Sequence, residues 1–217
     1  MAYRRTERMS AQLAARQAAI MAAARSLARD SGIAAVQIVP VAQRAGIASG
    51  TVYRYFPSKD DLVGAVVGAF AEGELAALRR AAAAAPGPLS ALAAGIMTFA
   101  LRMLEERRLA WAILADPGAG GAPAGRLAFR RALTDTFKEL IQAATAAGHL
   151  PNDEPPCAAA ALIGAILEGL LLIPEETPSS DDRGREAQAL TLFALRALGV
   201  GDAHARGLVV AFKPRER

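Results

Sequence analysis

At 217 residues, 53% of them hydrophobic, the chain can hold one large domain or two small ones around a proper core. Aromatic residues make up only 5% and Ala, Leu and Arg dominate, a helical composition, while the single cysteine, Cys157, excludes an internal disulfide and fits a reducing cytoplasm. The net charge of +4 is unevenly held: residues 1–60 carry nine Lys/Arg against three Asp/Glu, and the remainder sixteen against eighteen, so any polyanionic partner is expected at the N-terminal end.

The opening MAYRRTERMSAQLAARQ has no uninterrupted apolar core and is not expected to be a secretion signal. The spacing predicts a first helix from about Ala11 to Asp30, with Ser10 as its cap and Leu13, Ile20, Ala24 and Leu27 on one stripe. Arg16 and Gln17 interrupt that stripe, and Ser31-Gly32 ends the helix. Arg4, Arg5 and Arg8 precede it, either as a basic arm for a DNA backbone or as an ordinary charged end. A second helix is expected from Ile38 to Ala45, with Val41, Ala42 and Ala45 inward; Pro40 lies in its first turn, where no intrahelical N–H bond is lost. Gly46 supplies the permissive backbone of a sharp turn, and Ile47 closes it with a core side chain. A third helix, Ser49 to Tyr55, is stopped by Pro57 and carries Thr51, Tyr53, Arg54 and Tyr55 within five residues. Such donors bind phosphates and base edges, and the arrangement reads as a helix-turn-helix, with Phe56 in its core. Ser58-Lys59-Asp60-Asp61 has the form of a capping box with Asp for the usual Glu. The fourth helix it opens is expected to reach about Ala84 with Leu62, Val66 and Phe70 inward, and Pro86-Gly87-Pro88 breaks the chain.

Ala42, Ala45-Gly46-Ile47, Gly50-Thr51-Val52-Tyr53, Tyr55-Phe56, Lys59 and Leu62 together resemble the signature of the TetR-type bacterial repressors, over about residues 11–70. The resemblance implies that Ser49, Gly50 and Arg54 face base edges, and that Thr51, Tyr53, Tyr55 and Lys59 contact phosphates. Arg54 is the leading base reader, since a guanidinium pairs with guanine in bidentate fashion. Gly50 would let the backbone come close, and Lys59 sits at a helix N-terminus, which favours an anion. Two positions depart from the family pattern. Ala48 and Gln37 stand where capping Ser or Thr residues are usual, a loss of about 1 kcal/mol each.

Further helices are expected at about 89–105, 107–115, 123–147, 156–173 and 184–198. The connections are Pro117 to Gly121, Gly148 to Pro156 and the acidic Pro174 to Arg185, and the tail from Gly199 is expected to fray. The apolar run from Ala158 to Ile173 contains Glu168 and falls short of the ~20 residues that span a bilayer, so it reads as a buried helix of a soluble protein. The fold class is all-α: an N-terminal helix-turn-helix DNA-binding unit on a larger helical ligand-binding and dimerisation body. The expected division is 1–57, with helix 4 from 58 as connector, and 58–217.

One such head makes few contacts, whereas two on one duplex double the interface and fix the half-site spacing. Small residues in 156–173, flanked by Leu162, Ile166, Gly169 and Leu170, suit a dimer face together with Leu190 and Phe193 of 184–198. This resembles the family's dimeric four-helix arrangement; an intramolecular core pair is the other reading. Met97, Phe99, Met103, Leu104, Trp111, Leu114, Phe129 and Phe137 gather the large adaptable side chains of the body. They read either as walls of a pocket for an apolar or amphipathic effector or as plain core.

The expected function is thus a cytoplasmic homodimeric repressor that binds a palindromic double-stranded DNA operator and is released by an unidentified small molecule. No membrane, cofactor or metal is expected. A DNA-binding regulator controlled by a protein partner is the alternative. A helical enzyme with an accessory DNA-binding head is a third reading. Against it, His149 and His204 are isolated, Ser90 and Thr134 have no base nearby in sequence, and the glycines of 118–121 follow no predicted strand.

Overall fold

The computed structural model describes residues 2–115, 123–151, 154–171 and 180–212, and the described residues form helices and no strand. In chain order these are α1 (Ala2–Ser31), a 3-10 turn (Ile33–Ala35), α2 (Ile38–Ala45), α3 (Ser49–Tyr55), α4 (Lys59–Ala83) and α5 (Pro88–Glu105). They are followed by α6 (Arg107–Leu114), α7 (Pro123–Ala146), α8 (Pro155–Leu171), α9 (Ser180–Ala197) and α10 (Asp202–Ala211). The fold is all-α. The chain divides into two compact units, one of Met1–Phe70 with Arg108–Arg126, the other of Ala71–Arg107 with Leu127–Arg217.

In the first unit α1 packs on α2, and α2 on α3. Ile20, Ala24 and Leu27 of α1, Val41 and Ala42 of α2, and Val52 and Phe56 around α3 form its core, as the periodicity predicts. Leu13, placed on the same stripe, is exposed along with every residue from 11 to 19. The helix also starts nine residues earlier than expected. Residues 2–10 contain no Gly or Pro and are rich in good helix formers, so Arg4, Arg5 and Arg8 extend α1 and do not form an arm ahead of it.

In the second unit α5 packs against α8, α9 and α10, and α9 against α8 and α10. By length and mean hydropathy (18 residues, 1.2) α5 could cross a membrane, yet ten of its residues are buried in the chain, as befits a core helix. Phe99 of α5 meets Phe137 of α7 edge-on at 6.3 Å. Gly95 makes the close approach of α5 possible: a Cβ there would lie 3.2 Å from Leu140 Cδ1 and 3.5 Å from Leu78 Cδ2. Two connections differ from expectation. Ser180-Asp181-Asp182, expected in a loop, instead opens α9. The segment after Gly199 does not fray throughout but forms α10, which buries Ala205 and Val209. Asp202 at its start accepts from Arg196 Nε (2.7 Å) and Arg206 Nε (2.9 Å), and these two partners hold its carboxyl below the usual range. The expected loop at Pro117 to Gly121 lies outside the described residues.

The inward stripe of α4 runs Leu62, Val66, Phe70, Glu74, Leu78, so a carboxylate stands where an apolar residue is due. Glu74 is only 4% exposed and accepts from Arg102 of α5 through both oxygens, at 2.7 Å (Nε to Oε2) and 2.8 Å (Nη2 to Oε1). The hydrogen bonds to Glu74 raise the guanidinium's affinity for its proton. Glu74→Ala is expected to lower the free energy of unfolding by about 2–3 kcal/mol. That is short of the ~3–5 kcal/mol for a fully enclosed pair, because Arg102 keeps some solvent. Urea unfolding of both proteins measures the difference; equal midpoints would show that the pair contributes nothing net.

Candidate nucleic-acid interface

The geometry of the head begins at Gly46. This residue takes φ 67° and ψ 34°, the left-handed region open to glycine, at the end of α2. Its N–H bonds to Gln43 O at 3.2 Å and that of Ile47 to Ala42 O at 3.0 Å, the paired closure of a Schellman motif. Ile47 is half-buried, less enclosed than a core side chain. The chain then enters α3 without side-chain capping at Ala48, just as α2 starts without it at Gln37. Thr51 N–H instead bonds back to Ala48 O at 2.8 Å. Pro40 occupies the first turn of α2, as the sequence requires.

Val52 and Phe56, one turn apart, are buried, and this fixes the rotation of α3. Gly50, Tyr53 and Arg54, spaced i, i+3, i+4, therefore share the opposite face and are exposed, with Ser49 and Thr51 half-buried on either side. Tyr53 is 52% exposed. A Cβ built on Gly50 would meet no heavy atom within 4 Å, so nothing inside the chain requires glycine there. Among the described residues Arg54 and Lys59 have no ion-pair partner, which leaves both cations free for an external anion. Tyr55 needs correction as a phosphate contact. Its hydroxyl oxygen is buried and meets no hydrogen-bond partner among the described residues, so the ring is a packing element of α3.

Lys59 is the first residue of α4 and is exposed. Ser58 caps that helix: Asp61 N–H donates to Ser58 Oγ at 3.1 Å, and Ser58 Oγ donates to Asp61 Oδ2 at 2.7 Å. The Asp61 carboxylate is thereby turned onto the cap, while Asp60 stays exposed.

A side-chain staple joins α1 and α2, between residues too far apart in sequence for spacing to signal it. Arg44 donates to Ser26 Oγ at 2.8 Å and to the Asp30 carboxylate, and Ser26 Oγ donates to Asp30 Oδ2 at 3.3 Å. One of the three acidic residues of the first sixty is thus matched by a cation.

The other expected sites are distributed as follows. Met97, Phe99, Met103, Leu104, Phe129 and Phe137 belong to the second unit and are each at most 3% exposed, whereas Trp111 (exposed) and Leu114 (buried) belong to the first. Met97 Sδ lies 3.6 Å from Thr191 Oγ1, whose hydroxyl donates to Ala187 O at 2.7 Å. Leu162, Ile166 and Leu170, expected on a dimer face, are buried within the chain because the bulky stripe of α8 turns inward. The solvent side of α8 carries Ala161, Gly164, Ala165 and Glu168 instead. Gly169 admits Leu190 of α9, whose Cδ2 would lie 2.9 Å from a Cβ, and Phe193 is exposed. Cys157 is exposed in the first turn of α8. An apolar cavity of about 290 Å³ lies between α8 and α9, with Leu162 and Ile166 beneath and Ala161, Ala165, Ala197 and Phe193 at its rim. Among the described residues no three His, Cys, Asp or Glu side chains group to hold a metal ion.

Residues 20–66 match the family model for bacterial regulatory proteins of the tetR family. The chain is 35% identical over 130 residues to the HTH-type transcriptional repressor KstR of Mycolicibacterium smegmatis; the match covers 55% of this chain and 64% of that protein's length. Among solved structures, a tetR-family regulatory protein from Rhodococcus RHA1 superposes with a TM-score of 0.69 at 23% identity, over 86% of this chain and 98% of the other. FadR from Bacillus subtilis, in complex with stearoyl-CoA, gives 0.67 at 17% identity over 86% and 98%. At those identities the likeness is one of fold.

The hydrogen bond from Arg44 is the main reason the Asp30 carboxyl titrates below its ordinary value; desolvation opposes it, and the charge of Arg44 and the hydrogen bond from Ser26 add to the lowering. The folded value is therefore below the unfolded one. The stabilisation this gives is complete above the ordinary carboxylate range and disappears as pH falls toward the depressed value. Arg44→Ala is expected to return the NMR-detected titration of Asp30 to the ordinary carboxylate range; an unmoved titration would remove the staple.

Proposed function

Because the chain belongs to the tetR family of bacterial regulatory proteins, a family of transcriptional regulators, we propose that it is a cytoplasmic repressor. In this reading it binds a palindromic operator as a homodimer and is released by a small apolar or amphipathic molecule. The observation that carries the DNA-binding role is the outward face of α3, where Gly50, Tyr53 and Arg54 stand exposed on a helix fixed from behind by Val52 and Phe56. A helix of this kind fits the major groove of B-DNA. Arg54 and Ser49 then address base edges, Gly50 admits the backbone to the groove wall, and Thr51, Tyr53 and Lys59 take phosphates. Residues 1–57 form the reading head, α4, capped by Ser58, is the connector, and residues 58–217 bind the effector and dimerise. The repressor role is supported by the relative named a transcriptional repressor, and control by an amphipathic ligand by the neighbour holding stearoyl-CoA. We read the protein as a regulator without enzymatic activity.

The effector site is assigned to the second unit around Met97, Phe99, Met103, Phe129 and Phe137. A ligand acts there only by binding one chain conformation better than another. The tight burial of those side chains favours a second reading, control by a protein partner without a small molecule. Titrating acyl-CoA thioesters and simple phenols into the protein–DNA complex separates the two, since release by any of them selects the first.

Arg54→Ala is expected to relax base preference at one position of each half-site, a loss of about 1–3 kcal/mol of discrimination. Lys59→Ala is expected to weaken all sequences alike and to flatten the log–log salt slope by about 1. Binding to a randomised operator library at several salt concentrations reads both effects, and unchanged preference and slope would take these residues out of the interface.

Gly50→Ala gives a sharper separation. With open space around it, the new methyl group should leave the free protein as stable or up to about 1 kcal/mol more stable. Operator affinity should nevertheless fall, because the methyl group stands between helix and groove. Thermal unfolding and a mobility-shift titration of the same preparation test this. Undiminished affinity would mean that α3 does not bring its backbone to the DNA at Gly50.

A further inference from the structure

Resting on the DNA-binding role of the preceding section, we propose that the N-terminal half of α1, residues 2–19, is a second DNA-binding element, a basic helix that lies against the phosphates beside the half-site addressed by α3. Every residue from 11 to 19 is exposed, and Ile20 is buried. The family match begins at that same residue. Residues 2–19 thus lie ahead of the segment shared with the family and lengthen its first helix by about 27 Å, at about 1.5 Å per residue. A helix exposed on all sides from 11 to 19 buries no apolar stripe there, and its one large apolar side chain, Leu13, stands alone. What the segment carries instead is charge.

Its sequence holds four of the nine Lys/Arg of the first sixty residues, Arg4, Arg5, Arg8 and Arg16, against the single carboxylate of Glu7. Positions 4, 8, 12 and 16 follow one another at one-turn spacing, and together with position 5 they fall within about 120° of arc on a helix of about 3.6 residues per turn. Position 7 falls outside that arc. Position 12 is Gln, an amide that also donates to phosphate oxygens. Among the described residues Arg16 has no ion-pair partner. Like charges one turn apart repel along a free helix, so the stripe is stabilised when a polyanion lies along it. Arg16 stands one turn before Ile20, which enters the core where α1 packs on α2, so the stripe leaves the head on the side of α2. Duplex DNA is the polyanion that the head brings within reach. Each strand advances about 3.4 Å per phosphate along the axis, so the segment matches the length of about eight of them. Contacts of this kind hold a protein in register and carry no sequence information.

The test uses the full-length protein and a duplex that the wild-type chain selects from a randomised library. In the variant Arg4→Gln, Arg5→Gln, Arg8→Gln, Arg16→Gln, affinity is expected to fall at least about ten-fold at low salt, and the log–log salt slope to flatten by about 2 or more. Base preference and the thermal unfolding midpoint are expected to stay as they are, since Gln is as good a helix former as Arg. Hydroxyl-radical footprinting is expected to lose protection beside the half-sites. The same four positions changed to Lys should keep both slope and footprint, which a structural role of the guanidinium groups would not. An unchanged slope and footprint in the Gln variant overturn the proposal and leave the α3 reading intact; a rise in its dimer dissociation constant would then assign the segment to a second copy. Loss of base preference overturns it as well. A wild-type chain that selects no duplex overturns both readings.

Discussion

The left-handed turn at Gly46 is the constraint on which the outward face of α3 depends, because α3 has only seven residues and cannot sustain itself. Isolated helices shorter than about 12–15 residues are marginal in water, and α3 also lacks a side-chain cap at Ala48. Its order comes from its neighbours: the Schellman closure sets the direction in which the chain leaves α2, and burial of Val52 and Phe56 sets the rotation. Full burial of two such side chains is worth about 1.5–3 kcal/mol each, enough to offset the missing caps. The same burial leaves Gly50, Tyr53 and Arg54 on the outside. Fold and candidate interface thus have one cause.

The second unit is organised around α5, a helix apolar enough to be mistaken for a membrane span and enclosed here by α8, α9 and α10. Its small residue Gly95 admits close neighbours, and its Arg102 answers the one carboxylate on the inward stripe of α4. A bidentate pair in an apolar setting fixes the register of α4 against α5 more sharply than interchangeable aliphatic contacts would. On the proposed reading, the effector must act by shifting packing of this kind, since it can favour only a conformation that it contacts differently.

Much of this was legible in the sequence wherever a local rule decides the outcome. Gly46, the limits of α3, the Ser58 cap and the breaker at Pro86-Gly87-Pro88 follow from backbone chemistry within a few residues. What escaped depends on contacts distant in sequence. Arg44 and Asp30 are fourteen positions apart and meet only once α1 and α2 have packed. Glu74 did leave a signal, a carboxylate four residues beyond Phe70 on a stripe otherwise apolar, but its partner could not be named from periodicity. The Tyr55 hydroxyl belongs to the same class: its place on α3 was predictable, its enclosure was not. Leu162, Ile166 and Leu170 flank the small residues of α8 in the sequence, and only the surrounding helices decide that they meet the chain's own core. The early start of α1 and the existence of α10 rest on propensity without a strong apolar period, where sequence patterns speak least.

The central claim is that two copies of one short helix, held at a fixed separation by the symmetry of a dimer, read double-stranded DNA. Selection of duplexes from a fully randomised library by the purified wild-type protein, followed by sequencing of the bound fraction, tests it most directly. The account predicts an inverted repeat whose half-site centres are separated by about 10 base pairs or a multiple of that. Recovery of no enriched sequence, or of a single motif with no symmetric counterpart, would contradict it.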